Sequence, residues 1–462
     1  MYRKLLFFTL LVSGLAFATS AQSIGNAEVP AMESSENEPV WSLEKCLNYA
    51  LEHNLDVRLA GIGVEQADVT LQQRRLNRLP NVTGNAYYGL AFGRFTNPDN
   101  LTIDASRSQS NSFGLNGNLP IFQGFGLMRS IRSAIDQRGL AETDQKAAED
   151  QVRINVLQAY LQVLLALEDE RRREVQIEVS RDNLSNSARL AKAGVIPEGN
   201  LRELEAQVAT DELGVIQASN NIVLAYLQLR LVMQAGEEAD FVVQGPDPAA
   251  TDALLAVEDW DASAIYRYAS GTLPAVTRNL MAEQLAKDNI DLARSDLYPS
   301  LGLSGGASTS WFTEKAVADF LPSYSNQLDD NFGQFVGLGL NVPIFTNGLV
   351  RANIRNAELL LDQQKISSER DLNTLRQTIE QSVADAKAAA SSYQASSKVV
   401  EARKLALEFA QKRFEAGQAP SFELNNARNL LIAAEADLLT AKYNYLLASK
   451  VLDFYQGRPL NL

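Results

Sequence analysis

Leu119-Pro120-Ile121-Phe122-Gln123-Gly124-Phe125-Gly126, followed by Ile131-Arg132-Ser133-Ala134, returns as Val342-Pro343-Ile344-Phe345-Thr346-Asn347-Gly348, followed by Ile354-Arg355-Asn356-Ala357. The turn Ala193-Gly194-x-x-Pro197 likewise returns as Ala416-Gly417-x-x-Pro420. Around Trp41, Asn48-Tyr49-Ala50 and Leu79-Pro80 find counterparts near Trp260 in Arg267-Tyr268-Ala269 and Tyr298-Pro299. The period is roughly 220 residues, far beyond the 20–50 of solenoid units, so a whole module is duplicated within the 462-residue chain. Repeat 1 spans 41–236 and repeat 2 spans 260–456, joined by a linker over 237–259 and closed by a tail at 457–462.

Each quoted motif sits where alternating sequence gives way to helical sequence. In 110–122, Phe113, Leu115, Leu119 and Ile121 oppose Ser112, Asn116 and Asn118; in 81–95, Val82, Ala86, Tyr88, Leu90 and Phe92 oppose Thr83, Asn85 and Gly89. In 300–313, Leu301, Leu303, Ala307 and Trp311 oppose Ser304, Ser308 and Ser310. In 332–345, Val336, Leu338, Leu340, Val342 and Ile344 oppose Gly337, Gly339 and Asn341. A soluble sandwich alternates in this way too. Length favours a membrane barrel, since a tilted strand needs about 9–11 residues to cross hydrocarbon. So do the aromatics near the strand ends: Phe92, Phe95, Trp311, Phe312 and Phe332 on one side, Phe122, Tyr298 and Phe345 on the other. Polar loops over about 96–109 and 314–331 join the pairs. Four strands cannot close around a lumen, and lipid forbids open edges, so several copies must contribute to one barrel.

The remainder reads as helix: about 54–79, 127–193 and 198–233 in repeat 1, about 274–297, 350–416 and 420–456 in repeat 2. From Leu201, a heptad seam runs through Leu204, Val208, Val215, Ala218, Ile222, Ala225 and Leu229, with Asp211 at the missing step. One period later it runs from Leu424 through Ala427, Leu431, Ala434, Leu438, Ala441, Tyr445 and Ala448 to Leu452. Residues 127–193 and 350–416 contain no proline, so each accommodates one helix about 100 Å long at 1.5 Å per residue. These helices end at Gly194 and Gly417 with left-handed caps, and Pro197 and Pro420 start the return helices. Two short helices stacked end to end then flank each long one. The charge run Glu168 to Glu174 reads as a solvated helix face.

Arg3 and Lys4 precede an apolar stretch from Leu5 to Phe17 and small residues to Ala21, a signal peptide over 1–21 followed by an acidic, flexible lead-in over 22–40. Past the signal no apolar run is long enough for a membrane-crossing helix. Net charge is −14, and −16 once Arg3 and Lys4 are removed. Nucleic acid is therefore excluded as a partner, and an enclosed passage would favour cations. Cys46 and His53 are each alone of their kind, so no disulfide, zinc site or catalytic triad can form, and no enzyme activity, metal or cofactor is expected. His53 reads as a helix-end polar residue. Paired carboxylates occur, but heptad flanks place them at the surface.

With Arg413-Phe414-Glu415-Ala416-Gly417 leading into Glu423-Leu424, and Ala441-Lys442-Tyr443-Asn444-Tyr445 beyond, the duplicated order resembles the TolC-like outer membrane efflux protein family over the whole mature chain. The resemblance implies a mainly α fold with a membrane β-barrel part: a homotrimer with a twelve-stranded barrel in the Gram-negative outer membrane and a helical tunnel through the periplasm. It implies as partners outer membrane lipid, a periplasmic adaptor (membrane fusion) protein and an inner-membrane transporter, in an efflux or type I secretion system. It places the tunnel's gated entrance at the hairpins of Gly194, Pro197, Gly417 and Pro420. In the family's namesake two aspartates ring that entrance; Glu423 stands at the first position and Asn426 at the second, so the ring is weaker here. An entrance arginine of that protein is replaced by Ala419. The alternative reading, a soluble periplasmic coiled-coil adaptor or scaffold, accounts for the helices but not for the strand pairs.

Overall fold

The computed structural model describes residues 40–96, 103–194, 197–236, 241–245, 259–314, 321–416 and 418–462. The expected signal peptide, nearly all of the expected lead-in, most of the linker and Gly417 lie outside the described residues.

Repeat 1 runs β1 (Val40–Trp41), α1 (Leu43–His53), α2 (Leu55–Leu76), β2 (Asn81–Thr96), β3 (Ile103–Gln123), α3 (Gly126–Lys192) and α4 (Glu198–Met233). After β4 (Val242–Val243), repeat 2 runs α5 (Ala262–Thr272), α6 (Pro274–Ser295), β5 (Ser300–Glu314), α7 (Tyr324–Asp330), β6 (Gly333–Asn341), α8 (Leu349–Glu415) and α9 (Ser421–Tyr455). The repeats break into helices for the same local reasons. Ser42 caps α1, accepting from Lys45 N at 3.3 Å, and Asn54 ends α1 while capping α2 through Asp56 N at 2.8 Å. Asp261 caps α5, and Pro274 opens α6 where its missing N–H costs nothing. His53 closes α1, its Nδ1 2.9 Å from the Tyr49 carbonyl.

The two 67-residue helices α3 and α8 form the columns. α2 and α4 pack along α3, and α6 and α9 pack along α8, while α6 and α9 also touch α3 and so tie the repeats together. Where the columns meet their short partners sit two related cores. One joins Trp41, Leu157, Tyr160, Leu229, Met233 and Leu446; the other joins Trp260, Ile379, Ala386, Tyr445 and Leu452. Trp41 stacks on Phe241 at 4.7 Å, and Tyr160 Oη donates to the Gln244 carbonyl at 2.6 Å, which holds the parallel β1–β4 pair against α3. The expected seams hold with local shifts. In α4, Gly214 is buried and Val215 only half-buried, because Arg173 of α3 fills the groove beside Gly214, where an added Cβ would lie 2.8 Å from its Nη1. Along α8, Val383 and Ala410 are buried and the exposed Lys404 pairs with Glu435 of α9 at 3.7 Å.

The strands form one antiparallel sheet in the order β2-β3-β5-β6, with β2 and β6 as unpaired edges. Paired residues share a face, so the register collects the apolar rows onto one side: Ala86 with Phe113 and Thr309, Leu115 with Ala307, Leu119 with Leu303 and Leu338, and Leu301 with Leu340. The alternation slips once. A bulge between Pro120 and Phe122 brings Phe122, not Ile121, opposite Leu301, so Ile121 is the extra residue. The expected strand 332–345 stops at Asn341, because β5 begins at Ser300, the partner of Asn341, and Pro299 before it has no N–H to offer. Most of the loop expected over 96–109 is strand, since β3 starts at Ile103. The second loop contains α7. Beyond Gly333 no β6 residue pairs with β5, and α7 supplies the missing partners: Gln327 Oε1 accepts from Phe312 N at 3.0 Å, Asn331 Nδ2 donates to Ser310 O at 2.7 Å, and Thr309 Oγ1 donates to Leu328 O at 2.6 Å.

The opposite face is not purely small and polar as the alternation predicts. Tyr87 and Phe335 lie on it, Tyr87 flat over Gly89 and Phe335 over Gly306, where an added Cβ would stand 2.8 Å from either ring. Between them Asn116 Nδ2 donates to Asn85 Oδ1 at 3.2 Å. No helix among the described residues is long and apolar enough to cross a membrane.

Candidate functional site: the hairpin tips and two buried polar junctions

Each column ends in a turn about 100 Å from the sheet, the length of 67 residues at 1.5 Å each. α3 closes with Ala193 as C-cap and Gly194 at φ +74°, whose N–H donates to Ala191 O at 2.9 Å. Nothing lies within 4 Å of a Cβ added there, so the left-handed backbone alone calls for glycine. α8 closes with Gln418 N donating back to Arg413 O at 2.8 Å; Gly417 itself is outside the described residues. Pro197 and Pro420 are extended N-caps and not the first helical residues, so α4 and α9 start one residue later, at Glu198 and Ser421, and neither has a side-chain cap.

Glu423 lies in the first turn of α9 and is held in an ion pair by Arg413 Nη1, from the last turn of α8. The side chains are 53% and 39% exposed for Arg413 and Glu423 respectively. Asn426 is exposed and Ala419 half-buried. Sequence reasoning singled out Glu423 and missed Arg413. The available signal was opposite charge at two positions straddling one turn.

Further from the tip is a second junction that heptad analysis also passes over. Arg428 of α9 is 5% exposed and donates to Ser180 Oγ at 2.7 Å and to Gln176 O at 3.2 Å, both on α3. Ser180 Oγ donates onward to Asp211 of α4, whose other oxygen accepts from Gln207 at 3.0 Å. Burial holds the Arg428 guanidinium below its ordinary value, with the Asp211 carboxylate acting against that shift. This chain of bonds joins both hairpins of one subunit. The neighbouring charge run is not a solvated face as expected: Glu168 accepts from Lys442 of α9 at 3.0 Å, and Arg172, with its side chain 15% exposed, bonds Asp169 at 2.7 Å and reaches Ile432 O at 3.4 Å.

A third junction lies nearer the sheet, where α3 crosses α6. Asp288 is 4% exposed, which corrects the expectation that paired carboxylates stay at the surface. Its Oδ1 accepts from Gln284 at 3.2 Å and faces Arg132 Nε at 3.4 Å, while its Oδ2 is buried without a partner. Burial, and then the Asp136 carboxyl beside it, push Asp288 up to about 6.

The profile of the outer membrane efflux protein family matches residues 46–234 and 274–458, one match per repeat. The outer membrane efflux protein BepC of Brucella suis is 24% identical over 420 residues, covering 90% of this chain and 85% of that protein. The alkaline protease secretion protein AprF of Pseudomonas aeruginosa is 24% identical over 347 residues, covering 73% of this chain and 68% of that protein. The crystal structure of the Campylobacter jejuni CmeC outer membrane channel superposes with a TM-score of 0.72 at 19% identity, over 96% of this chain and 95% of that one. A sheet with one apolar face, duplicated hairpin columns and a family match over both repeats have one common reading: the chain belongs to the outer membrane efflux protein family.

Proposed function

We propose that this protein is a passive exit duct of the outer membrane, working in a tripartite efflux or type I secretion system as a homotrimer. The observation that carries the reading is the open sheet: an apolar face and two unpaired edges, β2 and β6, on strands long enough to cross hydrocarbon. Three copies joined edge to edge make a twelve-stranded barrel with no edge left. The helices support the same assembly. α4 carries a second apolar stripe, Leu213, Ile216, Val223, Leu224, Leu227 and Leu231, each more than half exposed in the single chain. Such a stripe at coiled-coil spacing fits the flank of a neighbouring copy.

In this reading the apolar row faces outer membrane lipid and the row of Asn85, Asn116, Ser304 and Gly337 faces the passage, with Tyr87 and Phe335 narrowing it. The columns continue as a periplasmic tunnel. Its entrance is the ring of hairpins at Gly194, Pro197, Gly417 and Pro420, with Glu423 and Asn426 beside it. An inner-membrane transporter supplies the energy and a periplasmic adaptor bridges the two, so the duct needs no cofactor of its own. The names of its relatives include both an efflux protein and an alkaline protease secretion protein.

Purified mature protein in detergent is expected to run as a trimer by light scattering, to resist extraction by alkaline carbonate, and to give long-lived conductance in planar bilayers. A monomeric, water-soluble protein would refute the duct and favour the soluble adaptor reading. A cysteine at Ala419 cross-linked to one near Ile196 on the adjacent hairpin should lower conductance until reductant is added.

A further inference from the structure

We propose that Arg413 determines the ionic selectivity of the periplasmic mouth by cancelling the charge of Glu423; the inference rests on the duct reading above. Glu423 occupies the first of the two mouth positions, and Asn426, one turn on, brings no charge. The matched position in the first repeat is Asn200, also uncharged. A bare Glu423 would therefore put three carboxylates around the opening. The structure does not leave it bare. Arg413 reaches across the turn and pairs with its Oε1, while Lys412 pairs with Glu408 and Glu415 keeps its charge, accepting from the neutral Gln411 amide. The helix adds to the effect: Pro420 gives α9 no side-chain cap, so the free amides of its first turn place further positive potential beside Glu423.

An exposed pair of this kind contributes little to folding. Its effect on the local field is separate from its stability, because the guanidinium stays tethered within a few ångströms of the carboxylate even when the hydrogen bond breaks. Pairing with Arg413 is thus predicted to remove the contribution of Glu423 to cation selectivity at the mouth.

The test measures reversal potentials of the full-length mature protein in planar bilayers under a KCl gradient at low ionic strength. Freeing one carboxylate per subunit should raise the potassium-to-chloride permeability ratio roughly two-fold, and screening in concentrated salt should erase the change. Arg413→Gln is expected to show that rise, Glu423→Gln a comparable fall, and the double variant a ratio near that of the wild type. Arg413→Lys should restore the wild-type ratio, which a purely structural role for the guanidinium would not predict. Conducting channels whose ratio is indifferent to Arg413→Gln overturn the inference and leave the duct reading intact. A wild-type protein that never conducts overturns the duct reading, and this inference with it.

Discussion

Asp288 gives the fold a pH dependence whose sign can be worked out in advance. Its carboxyl is raised from 3.8 to about 6 by burial and by Asp136, against the pull of Arg132 and Gln284. Further charges near this crossing include Arg129, which bonds the Asp291 carbonyl at 2.7 Å, and Arg294, which pairs with Asp291 at 3.5 Å and with Glu358 of α8 at 3.9 Å. A raised folded value means that the folded state binds the proton more tightly. Stability from this site is therefore complete below pH 3.8 and is lost as pH rises through about 6. The whole shift corresponds to about 3 kcal/mol per chain, of which about 1.4 kcal/mol disappears between pH 5 and pH 7.5. Hydrogen exchange, corrected for intrinsic rates, should show peptides from the α3–α6 crossing less protected at pH 7.5 than at pH 5. Asp288→Asn keeps the shape without the charge, so it should remove that difference and be the more protected protein at pH 7.5. If the variant retains the wild-type pH difference, or the difference runs the other way, the assignment of the effect to the buried Asp288 carboxyl is wrong.

Arg428→Met should cost about 2–4 kcal/mol, since it removes the donor to Ser180 Oγ and Gln176 O and the cation that balances Asp211 at a junction of three helices, and adding Asp211→Asn should recover part of the loss; thermal melts of the purified variants would measure both. Gly124 and Gly194 separate two reasons for glycine. Gly124→Ala, at φ +55°, drives a Cβ into the Ser295 carbonyl and to 2.8 Å from Tyr298 Cβ, and should block assembly. Gly194→Ala has open space and should cost only about 1 kcal/mol of left-handed strain, read in the same melts. Gln327→Ala removes the acceptor of Phe312 N–H, so limited proteolysis should cut within 309–331 faster than in the wild type, with helical circular dichroism unchanged.

The long helices were legible because their burial follows one periodicity over many turns. The observed ends of α3, α4 and α8 fall within about one residue of the expected ones. The sheet was legible by alternation, except where backbone geometry overrode it. Neither the bulge at Ile121 nor the stop at Asn341 has a signature in hydropathy, because both depend on which strand stands opposite and where proline withholds an N–H. α7 escaped because a seven-residue helix carries too little periodicity to be read. Glu423 was accessible through its place after the glycine turn and Arg413 through its opposite charge across that turn, whereas Arg428 and Asp288 required the fold, since each meets a partner on a helix distant in sequence. Burial of Asp288 in particular runs against the rule that heptad flanks face water.

The α7 cap carries a consequence for self-recognition. β2 has sixteen residues along its free edge, but β6 offers only nine before α7 takes over the space beside β5. In the trimer proposed above, a neighbouring copy that pairs its β2 with β6 would exhaust the ladder partway up and meet a short helix beyond it. Edge hydrogen bonds alone would accept almost any strand; a helix surface will not. In the proposed trimer, the upper part of a neighbour's β2 would therefore face the surface of α7 and not a bare strand edge.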